Sequence, residues 1–360
     1  MKITRVRTIP AKIPLAQPIR AGGWDITSIG ALAVLVETDA GLTGEGLAFT
    51  LNGRRMGMLV DGVESLADLV VGRSPTETGA FVERALADIL FFGHKSPLVM
   101  SLAAIETAMW DIRAKAAGLP MHRLIGAVRD RVPVYWSGGL WLTQSIDELQ
   151  REAADRIAAG YRAMKIRIAR GDDRVTAERV AAVRAAVGPD IQLMVDANQT
   201  LDVASALSLA RRLAPHDLTW FEEPVPYYDH RAEAAIVAES PIPIASGESE
   251  YLSRGLAEMV DLRAAHTLMP DLQRVGGIGE FLATAHIARP RGIAISSHLF
   301  SEMSLGVLAA IPNATFLEVM PWFEDIYLDR IEISDGTARV SERPGHGFRL
   351  DVGRIERLRM

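Results

Sequence analysis

From Val132 onward, the chain repeats one pattern of apolar and polar positions. Short apolar segments alternate with longer segments in which apolar residues recur every three or four positions. The short segments are typical of buried parallel strands, and the longer ones of amphipathic helices that pack against them. The predicted strands are VPVYW, AMKIRI, QLMVDAN, LTWFEEP, IPIASGE, HTLMPDL, GIAISSH and TFLEV. The predicted helices are Ile146–Ala159, Arg174–Val187, Val203–Leu213, Arg231–Ala238, Leu252–Val260, Ile278–Arg289 and Met303–Ala310.

Eight strands that alternate with helices over roughly 190 residues predict an α/β fold built on a (β/α)8 barrel. The alternative is a doubly wound sheet, which would be expected to carry a glycine-rich dinucleotide fingerprint. The segment GGIGEF, Gly276–Phe281, matches that fingerprint poorly and follows a strand that already ends in a charged motif. The pattern therefore favours the barrel.

Residues 1–130 follow a different pattern and predict an α+β module. Gly30–Gly46 reads as a strand, a turn and a second strand. Three predicted helices follow, around Met58–Val71, around Thr78–Leu90 and over Pro97–Ala117. Gly118 provides a natural C-terminal stop for the last of them. We expect the barrel to cover residues 131–325, and the strand and turn segments of residues 326–360 to return to the N-terminal module.

Composition narrows the possible partners. Hydrophobic residues make up 49% of the chain, which is enough for a sizeable core, and the net charge of −6 gives no indication of nucleic-acid binding. The absence of cysteine excludes disulfides and thiolate metal sites, and it fits the cytoplasm. The first fifteen residues read as a strand rather than a signal peptide, and no segment is long and apolar enough to cross a membrane. We therefore expect a cytoplasmic protein without membrane or nucleic-acid partners.

Acidic residues close three successive predicted strands, where a barrel of this kind carries its active site. Asp196, Glu222 and Glu248 are each separated by 26 residues, which is one strand–helix unit per step. Converging carboxylates repel one another, so when buried they require protons or a cation. A site of oxygen ligands suits Mg2+ first and Mn2+ second. The alternative is that each acid is an independent helix cap or a surface loop residue.

Asp271 and His298 end two neighbouring predicted strands, 27 residues apart. An aspartate that holds a histidine fixes its tautomer and raises its basicity, which makes a general base or acid. A lone histidine after an apolar strand is more often structural. A metal site opposite to it favours a catalytic role for His298, whereas the other seven histidines lie in turns, helices or strand starts.

The strand MKIRIAR places two cations on one face. Side chains of a strand alternate between its faces, so Lys165 and Arg167 point the same way. A divalent ion and a cation together can bind a substrate carboxylate and stabilise the dianion that forms when the adjacent proton leaves. Glu318, in the last strand, could donate a hydrogen bond to that dianion if nearby carboxylates and burial raise its pKa. The alternative for Glu318 is a salt-bridge partner.

Together these motifs resemble the enolase superfamily, and within it the mandelate racemase subgroup. The motifs are KIR (165–167), VDANQ (195–199), WFEEP (220–224), SGE (246–248), MPD (269–271) and SSHLFSE (296–302), followed by Glu318. The resemblance covers essentially the whole chain. It implies a modified barrel whose mouth is closed by an N-terminal α+β capping domain, a sugar acid or other small carboxylate as substrate, and a homo-oligomer.

The resemblance also implies a role for each matching residue. Asp196, Glu222 and Glu248 correspond to the Mg2+ ligands of the family, and His298 with Asp271 corresponds to its base dyad. Superfamily sites use a Lys or His base with Mg2+ stabilising the ene-diolate.

Three further positions match, and one departs from the family. Lys165 matches the first Lys of the K-x-K motif, which contacts the substrate carboxylate, while Glu318 matches the electrophilic Glu and Asn198 a polar position near the metal. Arg167 stands where the family has its second Lys, the base on the face opposite to the His. Because a neutral Arg is far harder to reach than a neutral Lys, we expect Arg167 to stay charged and to bind substrate. That leaves His298 as the single base.

In this family the capping module sets specificity, which here would involve two glycine-containing, loop-like segments, Pro18–Ser28 and Phe49–Met56. Trp24, Arg54 and Arg55 are the side chains in them that could reach a substrate. The polar Arg54 and Arg55 would suit a polyhydroxy substrate. The alternative is that each is an exposed loop residue.

A single base favours β-elimination. His298 would take the α-proton of an aldonate or aldarate, the β-hydroxyl would leave, and the enol would tautomerise to a 2-keto-3-deoxy acid. The alternatives are racemisation or epimerisation of a 2-hydroxy acid, cycloisomerisation of a sugar lactone, and an inactive homologue that binds metal and acid without turnover.

Overall fold

The computed structural model describes residues 1–21 and 23–360. The N-terminal module is an antiparallel sheet in the order β1-β2-β3, followed by helices. Its elements are β1 (Ile3–Ala21), β2 (Trp24–Thr38), β3 (Thr43–Leu51), α1 (Met56–Ala67), α2 (Thr78–Asp88), α3 (Pro97–Ala117) and α4 (Met121–Ile125). The register of β1 and β2 continues to the pair Ala21–Trp24. The segment Pro18–Ser28, which we expected to be loop-like, therefore belongs mostly to a hairpin.

The predicted helix α3 packs directly on the sheet. It has Pro97 in its first turn and ends at Gly118, whose φ of 66° is left-handed. A Cβ atom at Gly44 or Gly46 of β3 would collide with backbone carbonyl oxygens of α3. Backbone-to-backbone contact of this kind requires glycine at both positions, because any side chain would separate the helix from the sheet.

All eight predicted barrel strands are present, and the fold class is confirmed. The strands are β4 (Arg131–Trp136), β5 (Ala163–Arg167), β6 (Gln192–Asp196), β7 (Leu218–Glu222), β8 (Ile244–Ser246), β9 (Thr267–Leu268), β10 (Ala294–Ile295) and β11 (Leu317–Val319). Each pairs in parallel with the next from β4 to β10, and β11 pairs with β4. Between β10 and β11, the N–H of Ser297 donates to the carbonyl of Phe316 at 3.1 Å. These bonds close the barrel.

A helix follows each of the first seven barrel strands. These helices are α5 (Ile146–Ala158), α6 (Asp173–Val187), α7 (Val203–Leu213), α8 (His230–Glu239), α9 (Leu252–Leu262), α10 (Ile278–Ala288) and α11 (Ser301–Leu308). After β11 the chain instead enters a short 3-10 turn and a hairpin, β12 (Ile333–Ser334) and β13 (Thr337–Arg339), which pairs antiparallel with the start of β4. The barrel is thus seven strand–helix units and a closing strand.

The C-terminal residues lie against the N-terminal module. After the hairpin, α12 (Val352–Arg357) leads the chain to β1. There the N–H of Lys12 donates to the carbonyl of Leu358 at 2.9 Å, and the N–H of Met360 donates to the carbonyl of Pro10 at 3.1 Å. Among the helices that the structure describes, none has the length and apolar character that a membrane span requires.

Candidate active site

Inside the barrel, the charged residues form a layer next to an apolar layer, on the side of the C-terminal strand ends. The apolar layer consists of Tyr135, Ala163, Met194, Trp220, Ala245 and Met269. Two residues further along four of these strands stand Lys165, Asp196, Glu222 and Asp271. Because side chains alternate along a strand, both layers point inward. Asp196 pairs in register with Arg167 on one side and with Glu222 on the other, so their side chains lie at one height.

Lys165 lies fully buried among three carboxylates. Its Nζ forms an ion pair with Glu222 and lies 3.1 Å from Glu318 Oε1 and 3.4 Å from Asp196 Oδ2. Burial and the neighbouring Arg167 would lower the pKa of Lys165, but the three carboxylates outweigh both, and its pKa is raised. Lys165 is therefore a fixed ammonium.

Arg167 is held on three sides. Its guanidinium forms an ion pair with Asp196, donates to Ser137 Oγ at 2.9 Å and lies 5.1 Å from the ring centre of Trp141. Burial would lower the pKa of Arg167, but Asp196 and the other carboxylates outweigh it and raise that pKa. The group keeps its proton and can only donate hydrogen bonds.

His298 and Asp271 form the expected pair. Nδ1 of His298 lies 2.7 Å from Asp271 Oδ2, and its Nε2 lies 3.4 Å from Glu248 Oε1. Asp271 also accepts the backbone N–H groups of Gln273 and Arg274, at 3.1 and 2.9 Å, which fix the carboxylate. Burial would lower the pKa of His298, but Glu248 and the hydrogen bond to Asp271 outweigh it and raise that pKa to about 9.

Glu318 differs from our expectation. Its Oε2 accepts the backbone N–H of Leu299 at 2.6 Å, and its Oε1 faces Lys165. Burial would raise the pKa of Glu318, but Lys165, His298 and Arg167 outweigh it and lower that pKa. The expected rise in pKa is therefore wrong, because the two cations of β5 and the histidine that follows β10 dominate over burial and the neighbouring carboxylates. Glu318 is an ionised salt-bridge partner in this structure.

The donor set suits a hard divalent cation. Asp196 and Glu222 are fully buried, and Glu248 lines the cavity beside them. Two further oxygens at the cavity, Asn198 Oδ1 and Glu223 Oε1, are buried without a hydrogen-bond partner. Such oxygen atoms are the ligands that Mg2+ prefers.

The three carboxylates do not converge completely. Their ligand atoms are not all within 4.8 Å of one another, and two of the carboxylates pair with cations, Glu222 with Lys165 and Asp196 with Arg167. Within residues 1–21 and 23–360, one group of three does reach that distance: Glu45, Asp111 and His346, in the N-terminal module and the C-terminal segment. Of these two groups, we retain the strand-end carboxylates as the candidate metal site, because Glu248 lies 3.4 Å from His298 of the His298–Asp271 pair.

A cavity of about 530 Å³ lies between the charged layer and the N-terminal module. Asn198 lines it and binds Asp196 through its backbone N–H at 2.8 Å and its side chain at 3.1 Å. Trp24 also lines it and is 51% exposed, which places its side chain at the mouth. Both residues are placed where they can contact a substrate.

Arg54 does not line this cavity, contrary to our expectation, and neither does Arg55; both are exposed. The reason is the turn after β3. Asn52 and Gly53 adopt left-handed backbone conformations, with φ of 57° and 66°, and carry the chain away from the barrel into α1. A sequence of polar residues after a strand does not show which way such a turn points.

Two features of the site could not be predicted from the sequence: the neighbours of Arg167, and the left-handed backbone conformations that follow two of the strands. Ser137 and Trp141 follow β4 in a segment without a charged motif. Asn198 and Glu223 adopt left-handed conformations, with φ of 44° and 39°, immediately after their strands. Non-glycine residues rarely adopt this conformation, and they tend to do so at functional sites.

The chain is similar to known proteins over most of its length. The family profile described as Enolase C-terminal domain-like matches residues 148–354, and that of the Mandelate racemase / muconate lactonizing enzyme N-terminal domain matches residues 3–126. The chain is 29% identical to L-talarate/galactarate dehydratase of Salmonella typhimurium, over 97% of this chain and 89% of that protein. It is 30% identical to 3,6-anhydro-alpha-L-galactonate cycloisomerase of Streptomyces coelicolor, over 99% of each chain.

A solved structure is similar over the full length. L-Talarate dehydratase from Polaromonas sp. JS666, complexed with Mg and L-glucarate, superposes with a TM-score of 0.95 at 32% identity, covering 100% of this chain and 97% of that one. The resemblance of the strand-end motifs is thereby confirmed. The chain belongs to the mandelate racemase/muconate lactonizing enzyme family of the enolase superfamily.

Proposed function

We propose that this protein is a Mg2+-dependent lyase that dehydrates a sugar acid to a 2-keto-3-deoxy acid. The observation that carries the proposal is the contrast between two groups that line one cavity, a histidine–aspartate pair and a guanidinium that keeps its proton. Similar proteins include arabinonate dehydratase of Saccharolobus solfataricus and D-xylonate dehydratase of Haloferax volcanii. Dehydration needs one base, whereas racemisation needs two.

Asp196, Glu222 and Glu248 would hold the ion. When bound, a divalent ion supplies Lewis-acid stabilisation of the negative charge that develops as the proton beside a carboxylate leaves. Lys165, whose Nζ lies 3.4 Å from Asp196 Oδ2, adds charge of the same sign. Glu318 keeps Lys165 in place through the 3.1 Å contact. Asn198 orients Asp196 by two hydrogen bonds.

His298 is the proposed base. Asp271 binds its Nδ1, which directs Nε2 toward Glu248 and the cavity. Part of the raised pKa of His298 comes from Glu248, so a cation held by Glu248 would lower that pKa toward neutrality. The imidazole then removes the α-proton, the electron pair forms the enol double bond, and the β C–O bond breaks. The imidazolium returns its proton to the departing hydroxyl as water forms.

Arg167 makes inversion at the α-carbon unfavourable. A guanidinium offers only hydrogen-bond donors, so it cannot accept a proton from the face opposite to His298. Its planar group can instead hold a substrate hydroxyl or carboxylate. Racemisation is accordingly the weaker candidate. Cycloisomerisation of a sugar lactone begins with the same proton removal, and the cycloisomerase likeness keeps it as the second candidate.

The unpartnered oxygens favour a hydroxylated substrate. Asn198 Oδ1 and Glu223 Oε1 are buried at the cavity without a donor. Buried acceptors without a donor are costly, and substrate hydroxyl groups would satisfy them. A phenyl ring, as in mandelate, would leave them without donors.

The deciding experiment is a screen of aldonic and aldaric acids with Mg2+ in D2O. It follows formation of 2-keto acid together with entry of deuterium at the α-carbon. We expect keto acid from at least one acid, and loss of that activity in His298→Asn. His286→Asn, which changes an exposed histidine on α10, is the matched control and should remain active. Exchange with inversion and no keto acid would refute dehydration, and absence of exchange with every acid would indicate an inactive homologue.

The proposal also covers organisation and assembly. Residues 1–130 form the cap, 131–325 the catalytic barrel and 326–360 the segment that returns to the cap. A homo-oligomer and a cytoplasmic location are proposed as well, the first from the family and the second from the absence of cysteine. Light scattering of the purified protein would test the oligomer.

A further inference from the structure

The cavity has two chemically different sides. The lining residues from the N-terminal module are Ala21, Trp24, Ile26, Phe49, Thr50, Leu51 and Met100. Six are apolar and one bears a hydroxyl group, so within the described part of the chain this wall carries no charge. Phe49 and Ile26 are almost completely buried, and Phe49 packs 6.2 Å from Trp322, another lining residue. We call these seven residues the cap wall.

The charged lining residues all belong to the barrel, and both arginines among them are already engaged. Arg167 is paired with Asp196 and Ser137. Arg274 donates to the carbonyl of Glu248 at 3.2 Å and lies 3.6 Å from Asp271. Of the described residues that line the cavity, none is therefore a cation facing the cap wall without a partner.

The uncharged cap wall and the lack of an unpaired cation facing it limit which group the far end of the substrate can carry. A sugar acid whose reacting carboxylate lies at the charged layer points its other end at the cap wall. In an aldarate that end is a second carboxylate, and burying an ionised carboxylate against apolar side chains without a cation is strongly unfavourable. In an aldonate it is an uncharged terminus, whose C–H groups can pack on aromatic side chains such as Trp24 and Trp322.

We propose, building on the proposed function, that the physiological substrate is a monocarboxylate with an uncharged far end: an aldonate or a terminally deoxygenated aldonate. The cap wall excludes aldarates. This separates the protein from relatives named for talarate and galactarate.

Matched pairs of acids provide the test. Galactonate and galactarate share the configuration of their internal carbons, as do gluconate and glucarate, and they differ at the terminus alone. We expect kcat/KM to be at least about 100-fold higher for the better aldonate than for its matched aldarate. An aldarate that reacts as well as, or better than, its partner would overturn the inference and leave the dehydratase proposal intact.

Binding separates this inference from catalysis. The variant His298→Asn is titrated with each acid in the presence of Mg2+, so that turnover does not interfere. Tighter binding of the aldonates supports the inference even if their chemistry is not dehydration. Tighter binding of the aldarates overturns it. If wild-type protein converts none of the acids of the full screen, the proposed function fails whichever acid binds.

A substitution in the cap wall tests the electrostatic cause. Met100 is half-buried on α3, and its side chain is similar in length to lysine and glutamine. We expect Met100→Lys to shift the kcat/KM ratio at least about tenfold toward the aldarate, because it supplies the missing cation. Met100→Gln is the uncharged control and should leave the ratio unchanged. Equal shifts in both variants would overturn the electrostatic reasoning.

Discussion

Replacing Arg167 by lysine tests whether the arginine is the reason why the site has only one base for the α-proton. The change restores the residue that the family uses as its second base, while it removes the guanidinium that contacts Asp196, Ser137 and Trp141. A buried lysine beside Lys165 can release its proton when substrate and metal neutralise the carboxylates, which arginine cannot do. Arg167→Lys should therefore acquire exchange at the α-carbon with inversion.

The size of the accompanying loss follows from the contacts. Lysine cannot keep the 2.9 Å bond to Ser137 while it also pairs with Asp196. Loss of one hydrogen bond from a charged donor costs about 1.5–3 kcal/mol. Since each 1.36 kcal/mol is tenfold in rate, dehydration should slow by about 10- to 150-fold in Arg167→Lys.

The assay is proton NMR of the best substrate in D2O, with a chiral analysis of the recovered acid. Arg167→Gln is the control, because it removes the same guanidinium without adding a base. Dehydration should fall in both variants, and inverted, deuterated acid should form in Arg167→Lys alone. Inversion by the wild-type enzyme, or by Arg167→Gln, would refute the reasoning.

Three further predictions concern stability. Glu106→Gln replaces one of the two oxygens that accept backbone N–H groups at the start of α10 by an NH2 donor, and should cost about 2–3 kcal/mol. In calorimetry this lowers Tm by about 3–4 °C, and exposed Glu83→Gln is the control. Hydrogen bonds from Arg349 hold the pKa of Asp329 below its ordinary value, so this pair stabilises the fold above about pH 4 and is lost as pH falls. Denaturant midpoints between pH 6 and 3 should fall less steeply in Asp329→Asn than in wild type. When free Mg2+ is held at 100 times its Kd, its removal with EDTA should lower the free energy of unfolding by about 2.7 kcal/mol. An unchanged Tm would contradict a metal site in the fold.

The positions of the charged residues at the strand ends were predictable, because residues separated by one strand–helix unit occupy equivalent places in a barrel. Equal steps from Asp196 to Glu222 and from Glu222 to Glu248 place one acid per strand–helix unit, and parallel strands bring their ends to the same edge. The pair of Asp271 and His298 follows from the same rule. Side chains alternate between the two faces of a strand, so Lys165 was correctly placed inside, where it is fully buried.

Other features depend on several segments at once and could not be read from one. The pKa of Glu318 is lowered by two cations of β5 and by the histidine after β10, and local reasoning gave it the wrong direction. Arg54 lies outside the cavity because of the φ angles of Asn52 and Gly53 in the turn before it. The polar sequence of that turn is compatible with several chain directions. The cap wall is assembled from three strands and one helix of the N-terminal module, so its apolar character appears only when these segments meet.

The apolar layer beneath the charged residues also determines traffic through the enzyme. Tyr135 and Trp220 meet edge to face at 5.3 Å, and Phe316 packs against both, so the barrel is sealed from below. Acid and ion therefore reach the charged layer from the side of the N-terminal module, where Trp24 is exposed at the cavity. Water displaced by a bound acid has to leave on that side as well, because the apolar layer blocks the barrel below.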